Sequence, residues 1–573
     1  MTKITRRGAL GLGGAAFGLG ACSKPTSPVY TGEALEDARP PFAGEVTFGH
    51  GVASGDPLSD RVILWTRVTP EGEASGPVPV KWQVFSDQEM TKLVVTGFAT
   101  ADPARDYTVK VDVDRLMAGH EYFYAFTART EAGEIASPSG RTKALNADGE
   151  APVKLAIISC AHWEFGFFNA YEALSRQEGL DAILHLGDYY YEYGLTEFSR
   201  ESREALGRQH DPVIELVTRD DYRTRHAQYK SDPKLQAAHA AAPWLCMWDD
   251  HETANNSYST GAQNHNPEEQ EGAWTDRKQA AVEAYLEWMP VREPGPGRAR
   301  EALYREFHFG DVATVLCLET RLTGRSEEIS WSAELRNATA ENLEGKTIET
   351  MLRVTDHSRT MLGAQQEVWL QGKLTKSVEA GKSWQVLANQ TIMAEVKLPP
   401  LRTTLTPEQL AAQTGRFAQL VPLSDLALPY NLDAWDGFPA ARQRLFSAAK
   451  EAGARLVTLT GDTHSAWANT LHDAGGEVRG VEFGCASITT PGIGAYAKDI
   501  PDLAQMFTDA NEDVDFHDID GHGFTLVTLT RDDVTADFVK VSTVYAPEFD
   551  VAEADKFKVR RIDDSIGKLR RAT

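Results

Sequence analysis

Seven side chains of this 573-residue chain are of types that bind metal ions or move protons, and each stands just past a short apolar run: Cys160, Asp188, Tyr191, Asp250, His251, Asp462 and His464. The run VKLAIIS gives way to Cys160-Ala161-His162, and DAILHLG to Asp188 and then Tyr189-Tyr190-Tyr191-Glu192-Tyr193. WLCMW gives way to Asp249-Asp250-His251-Glu252, and RLVTLTG to Asp462-Thr463-His464. VATVLCL ends at Glu319-Thr320-Arg321, and WQVLAN at Asn389-Gln390. Carboxylate oxygens suit hard cations such as calcium or magnesium. A thiolate and a phenolate suit a Lewis-acidic iron(III), and His and Asp can serve either. A thiolate needs nearby positive charge to stay ionised at neutral pH, and a metal supplies it. A carboxylate shared by two ions would hold them roughly 3.5–4 Å apart, the spacing of two-metal phosphoryl transfer.

Taken singly, each group has a plain structural reading. An Asp after Gly is often a turn or a helix N-cap, and a Cys is often a small buried hydrophobe. Arg321 alone reads as an ion-pair partner. The argument for a site is that such groups recur at strand ends, because ligands of α/β sheets gather beyond the carboxyl ends of the strands.

The elements that must position them follow from hydrophobic pattern. From residue 45 to 145 short alternating runs recur (RVILWTRV, VPVKWQVF, YTVKVDV, EYFYAFTAR), which predicts an all-β sandwich. From 150 to 550 near-continuous apolar strands alternate with helical segments. The helices are expected at Asn169–Glu178, Tyr222–Lys230, Trp274–Trp288, Gly363–Lys376 and Pro439–Ala452. Such strands imply sheets covered on both faces. A closing antiparallel pair, GFTLVTLTR and VTADFVKVST, makes the sheet mixed. The polar stretch 323–353 reads as a surface insertion, and 551–573 as a C-terminal tail.

The formal net charge is −25. An acidic body repels nucleic-acid phosphates, so a nucleic-acid-binding role is disfavoured, while a local metal cluster can still attract a small phosphate. Thr5-Arg6-Arg7 precedes an apolar Gly/Ala-rich run too short to be a typical membrane span. Residues 1–22 therefore read as a signal peptide for the twin-arginine export machinery. Leu19-Gly20-Ala21-Cys22 resembles a lipobox, which makes Cys22 a candidate lipid anchor and the expected location periplasmic or cell-envelope. Residues 23–44 read as a tether. Cys246, Cys317 and Cys485 lie in apolar runs, so buried free thiols are expected rather than a disulfide framework.

The motifs SGDP, VILWTRV, IISCAHW, HLGDYYYEYG, MWDDHETANN, TMLGAQQEVWL, LANQTIM, DAWDGFPAARQRL and TGDTHSAWAN resemble the alkaline phosphatase D (PhoD-like) family over nearly the whole mature chain. The resemblance implies a four-layer metallophosphoesterase fold, two mixed β-sheets flanked by helices, preceded by a small immunoglobulin-like sandwich. It also implies an iron(III) site and calcium, with Cys160, Asp188, Tyr191 and His464 on Fe(3+). Asp188 would bridge to Ca(2+), with Asp250 and Asp462 as further ligands and Asn256 a weaker one beside Asn255 and Asn389. His251 would contact the phosphate or protonate the leaving group. Arg321 would clamp phosphate with its planar fork. His162 stands where it could add a ligand, and Glu319 is not assigned as one. The implied reaction is hydrolysis of a small phosphate monoester or diester by metal-bound hydroxide. Two other readings remain at this point: a hydrolase of the classical alkaline-phosphatase type with Thr463 as nucleophile, and a non-catalytic lipid-anchored binding protein.

Overall fold

The computed structural model describes residues 37–339, 341–413, 421–497, 500–563 and 565–572. The signal peptide, the lipobox at Cys22 and the tether as far as residue 36 lie outside the described residues. No described helix is long and apolar enough to cross a membrane.

Two mixed sheets stack face to face. In one, Val153–Ile158, Ala182–His185 and Trp244–Cys246 run parallel. Antiparallel strands His522–Leu529 and Asp533–Val541 extend it on one side. In the other, Ala313–Cys317, Trp384–Ala388, Leu456–Thr460 and Val478–Gly484 run parallel. Ala466–His472 and Val514–Asp518 add antiparallel strands at its edge. Leu155, Ile157, Leu184, Val315, Val386, Val457 and Phe483 meet between the sheets. The outer face of the first sheet is covered by helices Asn169–Ser175, Arg219–Lys230, Pro233–Ala241 and Trp274–Trp288. The outer face of the second is covered by Gly363–Glu379, Pro439–Ala452 and Leu503–Ala510. Apolar residues on both faces are what buried parallel strands require, and the result is the four-layer arrangement.

Three boundaries differ from the sequence reading. Residues 37–44 are not tether: Phe42 is buried and its backbone bonds to Arg129 and Glu131 of the sandwich, an attachment its apolar ring supplies. The sandwich is joined to the catalytic domain through a shared sheet. Its strands Val52–Gly55, Val62–Arg67 and Thr108–Val113 continue the first catalytic sheet, because Gly55 pairs with Trp244. A Cβ on Gly55 would stand 2.2 Å from Pro290 O and 2.7 Å from Trp244 O, so only glycine permits this junction. The other sandwich sheet contains Glu121–Thr130, whose residues alternate between buried and part-exposed with the period of two that its sequence shows. Finally, the expected tail is structural: Val551–Ile562 pairs with Asp533–Val541 along its length, and its Phe557 and Val559 enter the inter-sheet core. Its inward apolar residues alternate with Lys556, Lys558 and Arg560, which masks it as a polar end. Within 323–353, helix Leu343–Val354 forms, burying Thr347, Thr350 and Val354.

Helix Arg219–Lys230 ends on a lysine buried between the sandwich and the catalytic layers. Lys230 is 1% exposed. Its Nζ lies 4.4 Å from the Trp65 ring and 3.1 Å from His239 Nε2. Burial pushes its pKa down to about 7. The unfolded chain then binds this proton between pH 7 and the ordinary lysine range while the folded chain does not, so this group makes stability rise with pH there, by about 1 kcal/mol per pH unit. Lys230→Met should flatten that rise in thermal melts taken from pH 7 to 9; an unchanged slope would contradict it.

Candidate metal centre

The site lies where loops after the two sets of parallel strands converge. Cys160 N bonds to Gly187 O at 3.2 Å and Ala161 N to Asp188 O at 2.9 Å, which ties the first two loops together. Gly187, at φ 106°, precedes Asp188, and a Cβ there would stand 2.3 Å from Asp249 Cβ. The glycine therefore lets two acidic loops approach. Glu252, buried, accepts from the backbone N–H groups of Asp188, Tyr189 and Asp249 at 3.0, 2.6 and 2.8 Å, fixing both loops as a cap.

Backbone strain is concentrated in these loops. Cys160, Asp188, Asn256, Asp462 and His464 all have φ between 50° and 62°, the left-handed region that non-glycine residues rarely adopt. Strain of this kind persists where surrounding structure enforces it, and it aims side chains inward.

The aimed atoms form three overlapping donor groups, each within 4.8 Å: Cys160, Asp188 and His464; Asp188, Asp250 and His251; Asp188, Asp249, Asp250 and Asp462. Asp188 belongs to all three. Tyr191 joins through its phenol oxygen, 3.1 Å from Asp188 Oδ2 and 3.2 Å from His464 Nε2. The proposed set Cys160, Asp188, Tyr191, Asp250, Asp462 and His464 is thus brought together.

The donors fit cations. Asp188 Oδ1, Asp249 Oδ2 and Asp250 Oδ1 are buried with no hydrogen-bond partner among the described residues, a costly state for carboxylate oxygens unless an ion or water takes them up. Burial pushes the Cys160 thiol and the Tyr191 phenol well up, and the Asp188 charge adds to both shifts. Burial also raises Asp188 itself, despite the nearby His251, with Asp250 and Asp249 adding to the rise. Asp249 is pushed up to about 8 and Asp462 to about 7 by burial, with Arg321 opposing. Positive charge among these groups would restore their ionised forms.

Arg321 differs from the open phosphate fork expected of it. It is fully buried behind the cluster. Nε donates to Asp249 Oδ1 at 2.5 Å and Nη1 to Asp433 Oδ2 at 2.7 Å. Only Nη2 remains, 3.5 Å from Asp250 Oδ1 and 4.0 Å from Asp462 Oδ1. Despite burial, Arg321 and then His251 hold the Asp250 carboxyl below its usual range.

His251 Nδ1 lies 2.7 Å from Glu192 Oε2. Burial opposes its charged form, but Asp250, Glu192 and Asp188 outweigh burial and hold its pKa well above the ordinary value. His464 Nδ1 donates to Pro491 O at 3.1 Å if Nε2 is left for a metal, the usual orientation of a ligating imidazole.

The weaker candidates divide. Asn256 N donates to Asp250 Oδ2 at 2.6 Å and its Nδ2 to Glu328 Oε2 at 2.5 Å, so it borders the acidic group. Asn255 accepts from Tyr193 OH at 2.9 Å. Asn389 is spent on the fold, accepting from Trp435 Nε1 at 3.2 Å and donating to Thr391 O. His162 Nδ1 accepts from Glu164 N at 3.3 Å, and its ring packs 4.5 Å from that of Tyr191. Glu319 caps its own loop, accepting from the N–H groups of Arg321, Leu322 and Thr323. Thr463 Oγ1 accepts from Trp467 Nε1 at 2.8 Å, so the hydroxyl of the rival reading is held by an indole. Sequence reasoning gave no role to Asp249, Glu192, Asp433 or Glu328. Asp249 and Glu192 adjoin chosen residues. Asp433 lies inside DAWDGFPAARQRL, a motif whose acidic residue could have been matched to Arg321. Cys246, Cys317 and Cys485 are free and buried, as expected, and Cys160 is buried in the cluster without a disulfide.

Known proteins share this sequence pattern and fold. Residues 155–538 match the family model of the PhoD-like phosphatase and 34–146 that of its N-terminal domain. The chain is 34% identical over 552 residues to alkaline phosphatase D of Bacillus subtilis (strain 168), covering 94% of this chain and 85% of that one. A solved structure of PhoD superposes with a TM-score of 0.74 at 32% identity, over 93% of this chain and 94% of the other. Matching in both its domains and along nearly its whole described length, this chain belongs to the PhoD-like phosphatase family.

Proposed function

We propose that the chain is an exported iron–calcium phosphoesterase acting on small phosphate mono- or diesters. Membership of the family makes it a phosphoric ester hydrolase; the metals, the residue roles and the location are part of the proposal. One observation carries it: Asp188 is shared by a sulfur- and imidazole-containing donor group and by an all-carboxylate one. A softer donor set beside a hard one suits two different cations. Cys160, Asp188, Tyr191 and His464 would hold iron(III). Asp188, Asp250 and Asp462 would hold calcium, with Asn256 offering its amide oxygen. When bound, the cations supply Lewis acidity toward the phosphoryl oxygens and water.

The chain's own groups do the rest. Glu192 engages His251 at Nδ1 and so leaves Nε2 as the atom from which a proton would pass to the leaving oxygen. Arg321 acts as a positioning residue, holding Asp249 and leaving Nη2 toward Asp250 and Asp462. Buried surroundings strengthen each of these interactions.

Export rests on the sequence of residues 1–22 alone: the paired arginines, the short apolar run and the lipobox before Cys22. Mass spectrometry of membrane-extracted protein should find a lipid on Cys22, and an unmodified soluble N-terminus beyond residue 22 would refute the anchor.

The reaction is tested with p-nitrophenyl phosphate and bis-p-nitrophenyl phosphate before and after chelation. At least one ester should release nitrophenol, and the rate should fall by about a hundredfold or more on chelation, since metal ions supply several kcal/mol of transition-state stabilisation. Turnover of neither ester under any metal supplement would sink the reading.

A further inference from the structure

The peptide that carries Tyr191 does not end at the metal centre. It continues outward, and Leu195 N bonds to Val213 O at 2.9 Å and Leu216 N to Glu192 O at 3.0 Å. The inner end of this paired segment holds Glu192, which orients His251. The outer end presents large apolar side chains to solvent: Leu195 is 44% exposed, Phe198 55%, Val213 46% and Ile214 57%. Scattered exposed apolar residues need no explanation, but four on one segment leading out from a catalytic centre do.

Aromatic contacts tie that group to the centre. The Tyr191 ring lies 4.5 Å from His162, His162 4.7 Å from Phe165, and Phe165 4.9 Å from Phe198. Phe198 then meets Tyr496 across the rim at 5.9 Å, with the rings 23° apart. Tyr496 is 38% exposed and follows Pro491, whose carbonyl holds His464. The inner rings are buried and packed; the outer two are part-exposed.

We propose that this rim is the leaving-group subsite, and that the enzyme's preferred esters carry an apolar or aromatic leaving group that lies on Leu195, Phe198, Ile214 and Tyr496. The inference rests on the phosphoesterase reading above. With phosphate held at the cluster, the ester's other end must lead outward, and this apolar strip lies on the segment and ring contacts that lead outward from Tyr191. A small polar alcohol would gain nothing from it. Each methylene laid on the strip leaves water and raises affinity, by roughly two- to fourfold if half to fully covered.

Methyl-, butyl- and hexylphosphonate, which cannot be hydrolysed, separate this claim from catalysis. Titration calorimetry on the metal-loaded full chain should show affinity rising with chain length, and kcat/KM for the corresponding monomeric alkyl phosphates should rise in parallel. Phe198→Ser/Ile214→Ser, exposed substitutions outside the cluster, should flatten both series and leave methyl phosphonate affinity within about twofold. Affinity independent of chain length in the parent protein, or a slope that survives the double variant, would overturn the proposal. If instead the double variant only splits a dimer in sedimentation, or only abolishes binding to lipid vesicles, with the slope unchanged, the strip serves a second copy or a bilayer and the proposal falls. Chain-length-dependent binding without turnover of any ester would support the subsite and refute the reaction, so the two failures are distinguishable.

Discussion

Asp188→Ala should lower kcat/KM by at least about a thousandfold, which is about 4 kcal/mol of transition-state stabilisation. The residue is the one member common to all three donor groups. Its removal would open the proposed iron side and the proposed calcium side together, whereas loss of Cys160 or Asp462 would touch one. Among the described residues Asp188 Oδ1 has no hydrogen-bond partner and Oδ2 accepts only from the Tyr191 hydroxyl, so few structural bonds are lost with it. Folding should therefore survive, and thermal melts and circular dichroism separate a dead site from an unfolded chain. Asp188→Asn keeps the shape and removes the charge; it should lose metal as well as rate. An Asp188→Ala protein that folds, binds its full complement of metal and turns over esters normally would contradict the bridging role.

Arg321→Met should have the largest effect on stability, a loss of about 3–5 kcal/mol. The guanidinium is fully buried and compensates Asp249 and Asp433 directly, with Asp250 and Asp462 at 3.5 and 4.0 Å. Without it Asp249, Asp250 and Asp462 are left uncompensated in a buried site, while Asp433 keeps its ion pair with Arg325. Urea unfolding of metal-stripped protein should show the full loss. Metal-loaded protein should show less, because cations take over part of the same charge. Pairing the change with Asp249→Asn should recover part of the stability by removing the charge that Arg321 alone pairs directly. A loss below about 1 kcal/mol in metal-stripped protein would mean that the arginine does not hold the acidic loops.

The two predictions draw on residues of unequal legibility. Cys160, Asp188, Tyr191, Asp250, Asp462 and His464 could be chosen from sequence because each follows an apolar strand, and strand ends converge in this class of fold. Helices Trp274–Trp288 and Pro439–Ala452 run between the residues read from pattern, the second helped by proline at its first position. Pro233–Ala241 was missed because its run of alanines carries no apolar stripe, and Val551–Ile562 because its lysines and arginine outweigh its buried residues in a linear reading. The partners of Arg321 were hidden for a different reason. Asp433 is more than a hundred residues away, and only folding shows that the fork points at carboxylates rather than solvent. Likewise, nothing local marks Glu328, which reaches Asn256 from the insertion and is pushed up to about 7 by burial. Strand-end position reports which residues gather; it does not report which of them are consumed by one another.

Elemental analysis of the purified, active protein tests the central claim most directly. The account predicts about one iron and at least one calcium per chain, with both reduced in Asp188→Ala. Zinc alone at full activity, or full activity with neither iron nor calcium, would contradict it.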